Sequence, residues 1–346
     1  MKIEAIKIDG NQPINLTALH MKDVVELVKL EGFCWIDIDI GSTTESGLME
    51  LLVERLDFHP ATVQDCLQPT AYHQPKIDEE QEYKFITFLY YEQRPDGDLA
   101  VRELNIYASD TYVITVHRHP CAELLAAFRK FPRHINEYEQ RAVLFLQHIL
   151  DVIVDSYARI MRDLQRKSDE MEIAILQGRR KRMVSLHVFH HHDEELADMR
   201  QILRSRQALV MLRRTLAGEL RIIEGLVGEY DFEGAPEASE EIAIYFRDIL
   251  DHVRKYLEIV ESEDSALDHL MQVHSIVTGY RTNEIIYLLT IISSVMLPLN
   301  LVVGFFGMNF RTLWLTNHPL GVWIVFGFML ALAVAMFSYF RSKGWI

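Results

Sequence analysis

Two long apolar runs occupy the C-terminal end of the chain. Ile285 to Phe306, "IIYLLTIISSVMLPLNLVVGFF", and Leu320 to Phe340, "LGVWIVFGFMLALAVAMFSYF", contain no charged residue. Each matches the ~20 residues that cross ~30 Å of hydrocarbon at ~1.5 Å per residue, so the pattern predicts two membrane-spanning helices. The competing reading is a buried hairpin in a soluble core, but soluble core helices seldom stay uncharged over this length twice in succession. Two crossings return both termini to one side. Arg281 precedes the first run, and Arg341 and Lys343 follow the second, which marks that side as cytoplasmic. The connecting loop then faces outward, with Trp314 and Trp323 at the interface.

Upstream the pattern changes twice. Up to about residue 133, strand-like runs such as "GFCWIDIDI", "YKFITFLYY", "ELNIYAS" and "YVITVHR" alternate with helical stretches such as "MKDVVELVKL". That alternation predicts a small α/β domain, with "RPDG" at 94–97 as a hairpin turn. From about Asn136, apolar residues recur every three or four positions without proline, predicting one long helix to a break near Gly178 and a second ending before "EGAPEAS". Ser239, followed by Glu240 and Glu241, is the expected N-cap of a third helix. Proline is then absent until Pro298, which predicts a single rod of roughly 60 residues that becomes the first span. The organisation expected is a domain over 1–133, long helices over 134–283 and the membrane segment over 284–346.

At about 100° per residue, Asn283, Thr290, Ser293, Ser294, Asn300 and Gly304 fall on one face of the first span, within an arc of about 120°. Polar groups cannot face hydrocarbon cheaply, so this stripe either packs against another helix or lines a pore. Two spans per chain cannot enclose a pore, and the second reading therefore requires a symmetric homo-oligomer. Leu297 shares the face, and Pro298 beside it loosens the helix.

A net charge of -15 argues against nucleic acid as a partner and suits metal cations. The three cysteines, Cys34, Cys66 and Cys121, form no CxxC pair and are expected to be buried thiols in a reducing compartment. "MKIEAIKIDG" and the residues after it lack the apolar core of a signal peptide, so the N-terminus is expected to stay in the cytosol. His187, His190 and His191 share one helix face at a spacing able to bind a transition metal, although a solvated, pH-sensitive face is the commoner outcome. His59 and Pro60 are expected to be structural. No P-loop, dinucleotide fingerprint or nucleophile–base pair is visible, so the chain does not read as an enzyme.

"GMN" at 307–309, the span before it, the second span close behind and the tail "FRSKGWI" together resemble the CorA family of divalent-cation channels. "TNEIIYLLTIISSVMLPLNLVVGFFGMNF" is similar to that family's whole first span, "YFRDILDHV" to the start of its stalk, and "FHPATVQDCLQPTAYHQPKID" to its N-domain motif. The resemblance implies an α+β cytosolic domain with long helices and two transmembrane helices per subunit, in a funnel-shaped homopentamer. It further implies a multi-pass plasma-membrane protein whose partners are the lipid bilayer and divalent cations, with Mg2+ as transported and regulatory ion and no resident cofactor. Gly307, Met308 and Asn309 would form the selectivity filter, where a ring of neutral amides binds hydrated magnesium through its waters. Asn283, Ile286, Leu289, Thr290, Ser293, Leu297, Asn300 and Gly304 would line the pore. Asp65, Asp248 and Asp251 would sense cytosolic Mg2+ between subunits, so that loss of the ion loosens the interface.

The chain departs from the pattern at several positions. Gln64 stands where many relatives have an acid, Tyr287 replaces a basic residue, Asn300 replaces a threonine, and the outer loop begins with Arg311 and no acid. Co2+, Ni2+ and Zn2+ therefore stay open beside Mg2+, with a ZntB-like Zn2+ transporter as the alternative. A membrane-anchored cation sensor or scaffold is the reading from a different class.

Overall fold

The computed structural model describes residues 1–9, 12–29, 32–41, 45–68, 74–94, 99–130, 142–182, 192–232, 236–308 and 320–344. The chain divides into two compact units, Met1–Leu270 and Met271–Ile346.

The first unit is built on a seven-stranded sheet. Its strands are β1 (Lys2–Asp9), β2 (Gln12–Thr17), β3 (Cys34–Asp39), β4 (Lys76–Glu79), β5 (Lys84–Gln93), β6 (Leu99–Ala108) and β7 (Tyr112–His117), in the order β2-β1-β3-β7-β6-β5-β4. The strand-like runs "GFCWIDIDI", "YKFITFLYY", "ELNIYAS" and "YVITVHR" supply β3, β5, β6 and β7; β1, β2 and β4 carry no comparably long apolar run. Only β3 and β7 pair in parallel. The sheet is therefore mostly antiparallel rather than the βαβ type that strict alternation suggests, because neighbouring strands joined by short connections must reverse direction. The pairing of Gln93 with Leu99 places a hairpin where "RPDG" predicts one, although 95–98 lie outside the described residues.

Alternation along β3 sends its side chains to two layers. Cys34, Ile36 and Ile38 join a core with Val24 of α1 (Met21–Lys29), Leu48 of α2 (Glu45–Met49), Leu51 and Leu52 of the π-helical turn after it, and Val63 of α3 (Pro60–Leu67). Phe58 stacks on Tyr107 in this layer, with ring centroids 4.5 Å apart. On the opposite face Trp35 packs against Phe145 at 4.7 Å. Each fully buried aliphatic side chain here contributes about 1.5–3 kcal/mol of transfer free energy. The three cysteines are buried and free, as expected, and burial pushes each thiol up to about 12.

Behind α4 (Ala122–Lys130) come three long helices: α5 (Ala142–Arg182), α6 (His192–Tyr230) and α7 (Glu237–Phe306). Their apolar residues recur at helical spacing and are buried: Ile149, Ile153 and Tyr157 on α5, Leu209, Leu212 and Leu216 on α6, Phe246, Val253 and Val260 on α7. Two expected boundaries move. Gly178 lies inside α5, because a lone glycine weakens a helix by only about 1 kcal/mol and the four residues after it, Arg179 to Arg182, are arginine and lysine, good helix formers. Ser239 is not the cap of α7; the carbonyl of Pro236 accepts from the N–H groups of Ser239 and Glu240, so the helix starts three residues earlier, at Glu237 rather than Glu240. At 70 residues α7 exceeds the expected rod, and its last part, with α8 (Gly321–Ser342), belongs to the second unit.

Candidate ion path and metal-ligating groups

The helices α7 and α8 are long and apolar enough to cross a membrane, and only 6% of the most apolar window of each is buried. That exposure removes the soluble-hairpin reading, since a soluble core helix would be covered. Trp323 is exposed at the start of α8; Trp314 lies outside the described residues.

Every residue of the expected pore face, Asn283, Ile286, Leu289, Thr290, Ser293, Leu297, Asn300 and Gly304, is on the surface of the chain. Leu297 is 75% exposed. The Thr290 hydroxyl donates to the Ile286 carbonyl at 2.7 Å, which satisfies a hydroxyl that could not otherwise be left in hydrocarbon. Pro298 sits inside the helix without ending it. A Cβ on Gly304 would meet nothing within 4 Å, whereas one on Gly307 would stand 3.1 Å from the Val303 carbonyl. Gly307 therefore fits the tight end of α7, where its N–H donates to the same carbonyl at 2.9 Å. Met308 is the last described residue before the loop. Asn309 and Arg311 lie outside the described residues, as do His187, His190 and His191.

The N-domain motif folds around α3. His59 caps it, its Nδ1 accepting from the Ala61 N–H at 3.2 Å, and Pro60 occupies the first turn, where a missing N–H costs nothing. The His59 N–H donates to the Tyr83 hydroxyl at 2.9 Å. Both residues are structural, as expected. On the last turn of α3, the Asp65 carboxylate accepts from Lys76 Nζ at 2.7 Å, and the same ammonium donates to Asp78 at 2.7 Å. Partial burial lowers the Lys76 pKa, but the hydrogen bonds to Asp65 and Asp78 outweigh it and hold the ammonium above the usual lysine value. Asp65 thus already has a cationic partner in its own chain.

Asp248 and Asp251 are exposed on α7. Among the described residues, one group of three brings ligand atoms within 4.8 Å of one another, and it comprises Asp151, Asp155 and His252. His252 Nδ1 lies 3.4 Å from Asp155 Oδ1. Burial, followed by the charge of Asp155, raises the Asp151 carboxyl to about 6; Asp248 adds to the rise and His252 opposes it. The expected sensing residue Asp248 therefore shares its field with this group. Sequence reasoning missed the three, although Asp151 and Asp155 repeat at i, i+4 and His252 stands four residues after Asp248, each pair on one helix face. Two carboxylates and an imidazole suit a borderline transition ion as well as a hard one.

Comparisons with known proteins bear on the family and the fold. The profile of the family described as "CorA-like Mg2+ transporter protein" matches residues 31–342. The chain is 27% identical over 350 residues to the putative metal ion transporter YfjQ of Bacillus subtilis, covering 96% of this chain and 98% of that one. The complete structure of the CorA magnesium transporter from Methanocaldococcus jannaschii superposes with a TM-score of 0.77 at 19% identity, over 100% of this chain and 99% of that one. The ZntB cytoplasmic domain from Vibrio parahaemolyticus superposes with a TM-score of 0.56 at 10% identity, over 82% of this chain and 98% of that domain. At these identities the structural likenesses establish the fold alone. With the profile matched across most of its length, the chain belongs to the CorA-like Mg2+ transporter family.

Proposed function

We propose that the protein is one subunit of a homopentameric, passive divalent-cation channel in the plasma membrane, with both termini cytoplasmic and Mg2+ as its principal ion. The observation that carries this reading is the stripe from Asn283 to Gly304: polar and small residues lie uncovered on the surface of a chain with two apolar helices. Neither lipid nor a second span of the same chain satisfies such a face, whereas one first-span helix per subunit around an axis does. Gly304, open on every side, leaves room for that approach. Asn309 then forms a ring of neutral amides at the outer mouth, and Leu289 and Leu297 form apolar constrictions that gate by dewetting. The membrane potential favours entry by about 4.6 kcal/mol per 100 mV for a divalent ion, twice the single-charge value. Cytosolic Mg2+ closes the channel by bridging Asp65 of one subunit to Asp248 and Asp251 of the next, since carboxylates brought together without a cation repel.

Dye-reported divalent uptake into proteoliposomes tests the reading. Uptake should be driven by an inside-negative potential and lost in Asn309→Ala with assembly intact. Intact oligomers without flux for any divalent ion would leave the anchored sensor or scaffold as the better description.

The imidazole of His252 favours a second reading, transport or sensing of Zn2+, Co2+ or Ni2+, because nitrogen donors raise preference for transition ions over Mg2+. Competition of Mg2+, Co2+, Ni2+ and Zn2+ in the same assay separates the two.

A further inference from the structure

The turn that leads from β7 into α4 is fastened by a buried histidine. His117 closes β7, and strand register sets its surroundings: Asp39 pairs with His117 and with Lys2, while Asp37 pairs with Thr115 and with Glu4. Because side chains alternate along a strand, both cross-strand rows project from one face, and Asp37 reaches His117 along the diagonal. That face lines a cavity of about 650 Å³ closed by α4 and α5.

His117 is 6% exposed. Its Nε2 lies 3.3 Å from Asp37 Oδ2, and its Nδ1 2.9 Å from the His119 carbonyl oxygen. A carboxylate and a carbonyl both only accept, so the ring satisfies the two together only as an imidazolium that donates from each nitrogen. Asp37 is oriented by Thr115, whose hydroxyl donates to Oδ1 at 2.6 Å and accepts from Trp35 Nε1 at 3.1 Å. The His119 carbonyl takes a second donor, the Tyr90 hydroxyl at 2.6 Å. The imidazolium therefore ties β3 to the residue just before Pro120, at the entrance to α4. At nine residues α4 depends on such anchorage, since isolated helices shorter than ~12–15 residues are marginal in water.

A neutral ring has one N–H. It must turn a lone pair toward either the Asp37 carboxylate or the His119 carbonyl, where little water reaches. Other fastenings of the turn do not titrate near neutrality. The His117 carbonyl accepts from the Ile40 N–H at 2.9 Å, and the Arg118 guanidinium donates to the Gly41 and Leu67 carbonyls at 3.2 and 3.1 Å. Burial pushes the Tyr90 hydroxyl up and the Cys121 thiol up to about 12, so both stay neutral.

Among the charges around the cavity, Lys2 is paired with Glu4, Glu92 with Arg102 and Asp163 with Arg166. Asp39 and Glu123 stand against Arg159 and Lys167, which leaves Asp37 as the dominant partner of the ring. Burial by itself lowers the His117 value, but the hydrogen bond and charge of Asp37, then Asp39 and the His119 carbonyl, outweigh it and hold the value above the ordinary 6.5. Stability drawn from that proton is complete below the unfolded value and is lost as pH rises through the raised folded one. Burial and Arg102 lower His119 instead, so the two histidines titrate on opposite sides of the ordinary value.

We propose that His117 is a pH-released clasp: its imidazolium fastens the β7–α4 turn to β3, and loss of the ring proton lets α4 open from the sheet. The clasp uses no residue of the ion path or of the Asp151 group, so its test is independent of the transport reading.

Hydrogen–deuterium exchange of the full-length protein in detergent, at constant Mg2+ and with labelling times scaled for the intrinsic rise of amide exchange with pH, tests it. Protection across residues 118–127 should fall about threefold or more between about pH 6 and about pH 8.5, while that of α1 stays level. His117→Gln, which donates to a single acceptor and has no proton to lose, should show the low protection at both pH values. Asp37→Asn should move the fall to lower pH, because the ring loses its charged partner, and it carries the test if His117→Gln does not fold. His119→Gln should leave the fall in place, since the clasp uses only the backbone of that residue. Wild-type protection that does not change with pH, a fall that survives in His117→Gln or is unmoved in Asp37→Asn, or one abolished in His119→Gln would each overturn the assignment.

Discussion

Glu219 on α6 has no exposed surface, and its Oε1 lies 2.7 Å from the Tyr157 hydroxyl on α5. That hydroxyl is also 2.6 Å from the Leu89 carbonyl on β5. A phenol has one hydrogen and a peptide carbonyl can only accept, so Tyr157 donates to Leu89 and Glu219 donates to Tyr157. Glu219 is therefore a neutral carboxylic acid that ties two helices to the sheet.

The proton on Glu219 has a pH signature. Burial holds its folded-state value well above the ordinary 4.5. Its contribution to stability is therefore complete below the unfolded value and is lost as pH rises through the folded one. The thermal midpoint of the full-length protein should fall as pH rises above the ordinary carboxyl value of 4.5 toward the raised folded one, and Glu219→Gln, which can donate to Tyr157 without a proton to lose, should flatten that fall. Tyr157→Phe should cost about 1–3 kcal/mol, since it removes the hydroxyl that partners Glu219 Oε1 and the Leu89 carbonyl. An ionised-carboxylate infrared signature assigned to Glu219 at neutral pH would contradict the proton count.

Lys76 competes with any divalent ion for Asp65. Lys76→Met keeps an unbranched side chain but removes the ammonium, which lies 5.5 Å from the centroid of the Phe85 ring. Since the pair is partly exposed and screened, the expected gain is modest: inhibition of uptake by internal Mg2+ at about 3–10-fold lower concentration, or about 0.7–1.4 kcal/mol. Unchanged inhibition would separate Asp65 from cation sensing.

The Asp151, Asp155 and His252 group should stabilise the fold when it holds a metal. Saturating Co2+ or Zn2+ at 100 times the dissociation constant would add about 2.7 kcal/mol. His252→Ala should abolish the transition-metal rise in thermal midpoint while leaving a smaller Mg2+ rise. Asp151→Asn should abolish both. Equal rises in all three proteins would place the bound ions elsewhere.

Gly218 lets α6 approach Pro75. A Cβ at 218 would stand 2.7 Å from Pro75 Cδ and 2.9 Å from Cγ, and a proline ring cannot swing away. Gly218→Ala should destabilise by about 1–3 kcal/mol despite alanine's better helix propensity, worth about 1 kcal/mol. Denaturation midpoints of the full-length protein check the sign. Pro75 precedes Lys76 in the chain, so the variant should also disturb the Lys76–Asp65 pair and shift Mg2+ inhibition.

The parts legible in the sequence were those that a local solvent or a local period imposes. Ile285–Phe306 and Leu320–Phe340 had to be apolar because hydrocarbon surrounds a span whatever its neighbours are. The 3.6-residue recurrence through Ile149, Ile153 and Tyr157 needed only one buried face, and the buried cysteines followed from their isolation. Tertiary structure decided what depends on residues distant in the chain. Asp155 meets His252, Tyr157 meets Glu219, and Lys2, Asp39 and His117 form one row only because the sheet and the long helices bring them together; nothing in the local pattern of α5 marks Asp151 apart from any solvated acid. Even the start of α7 at Glu237 rather than Glu240 was a choice within a short run, Glu237 to Glu240, whose residues propensity ranks too closely to separate. The exposed stripe from Asn283 to Gly304 stands between the two: its periodicity is written in the sequence, but its occupant is set by other copies of the chain.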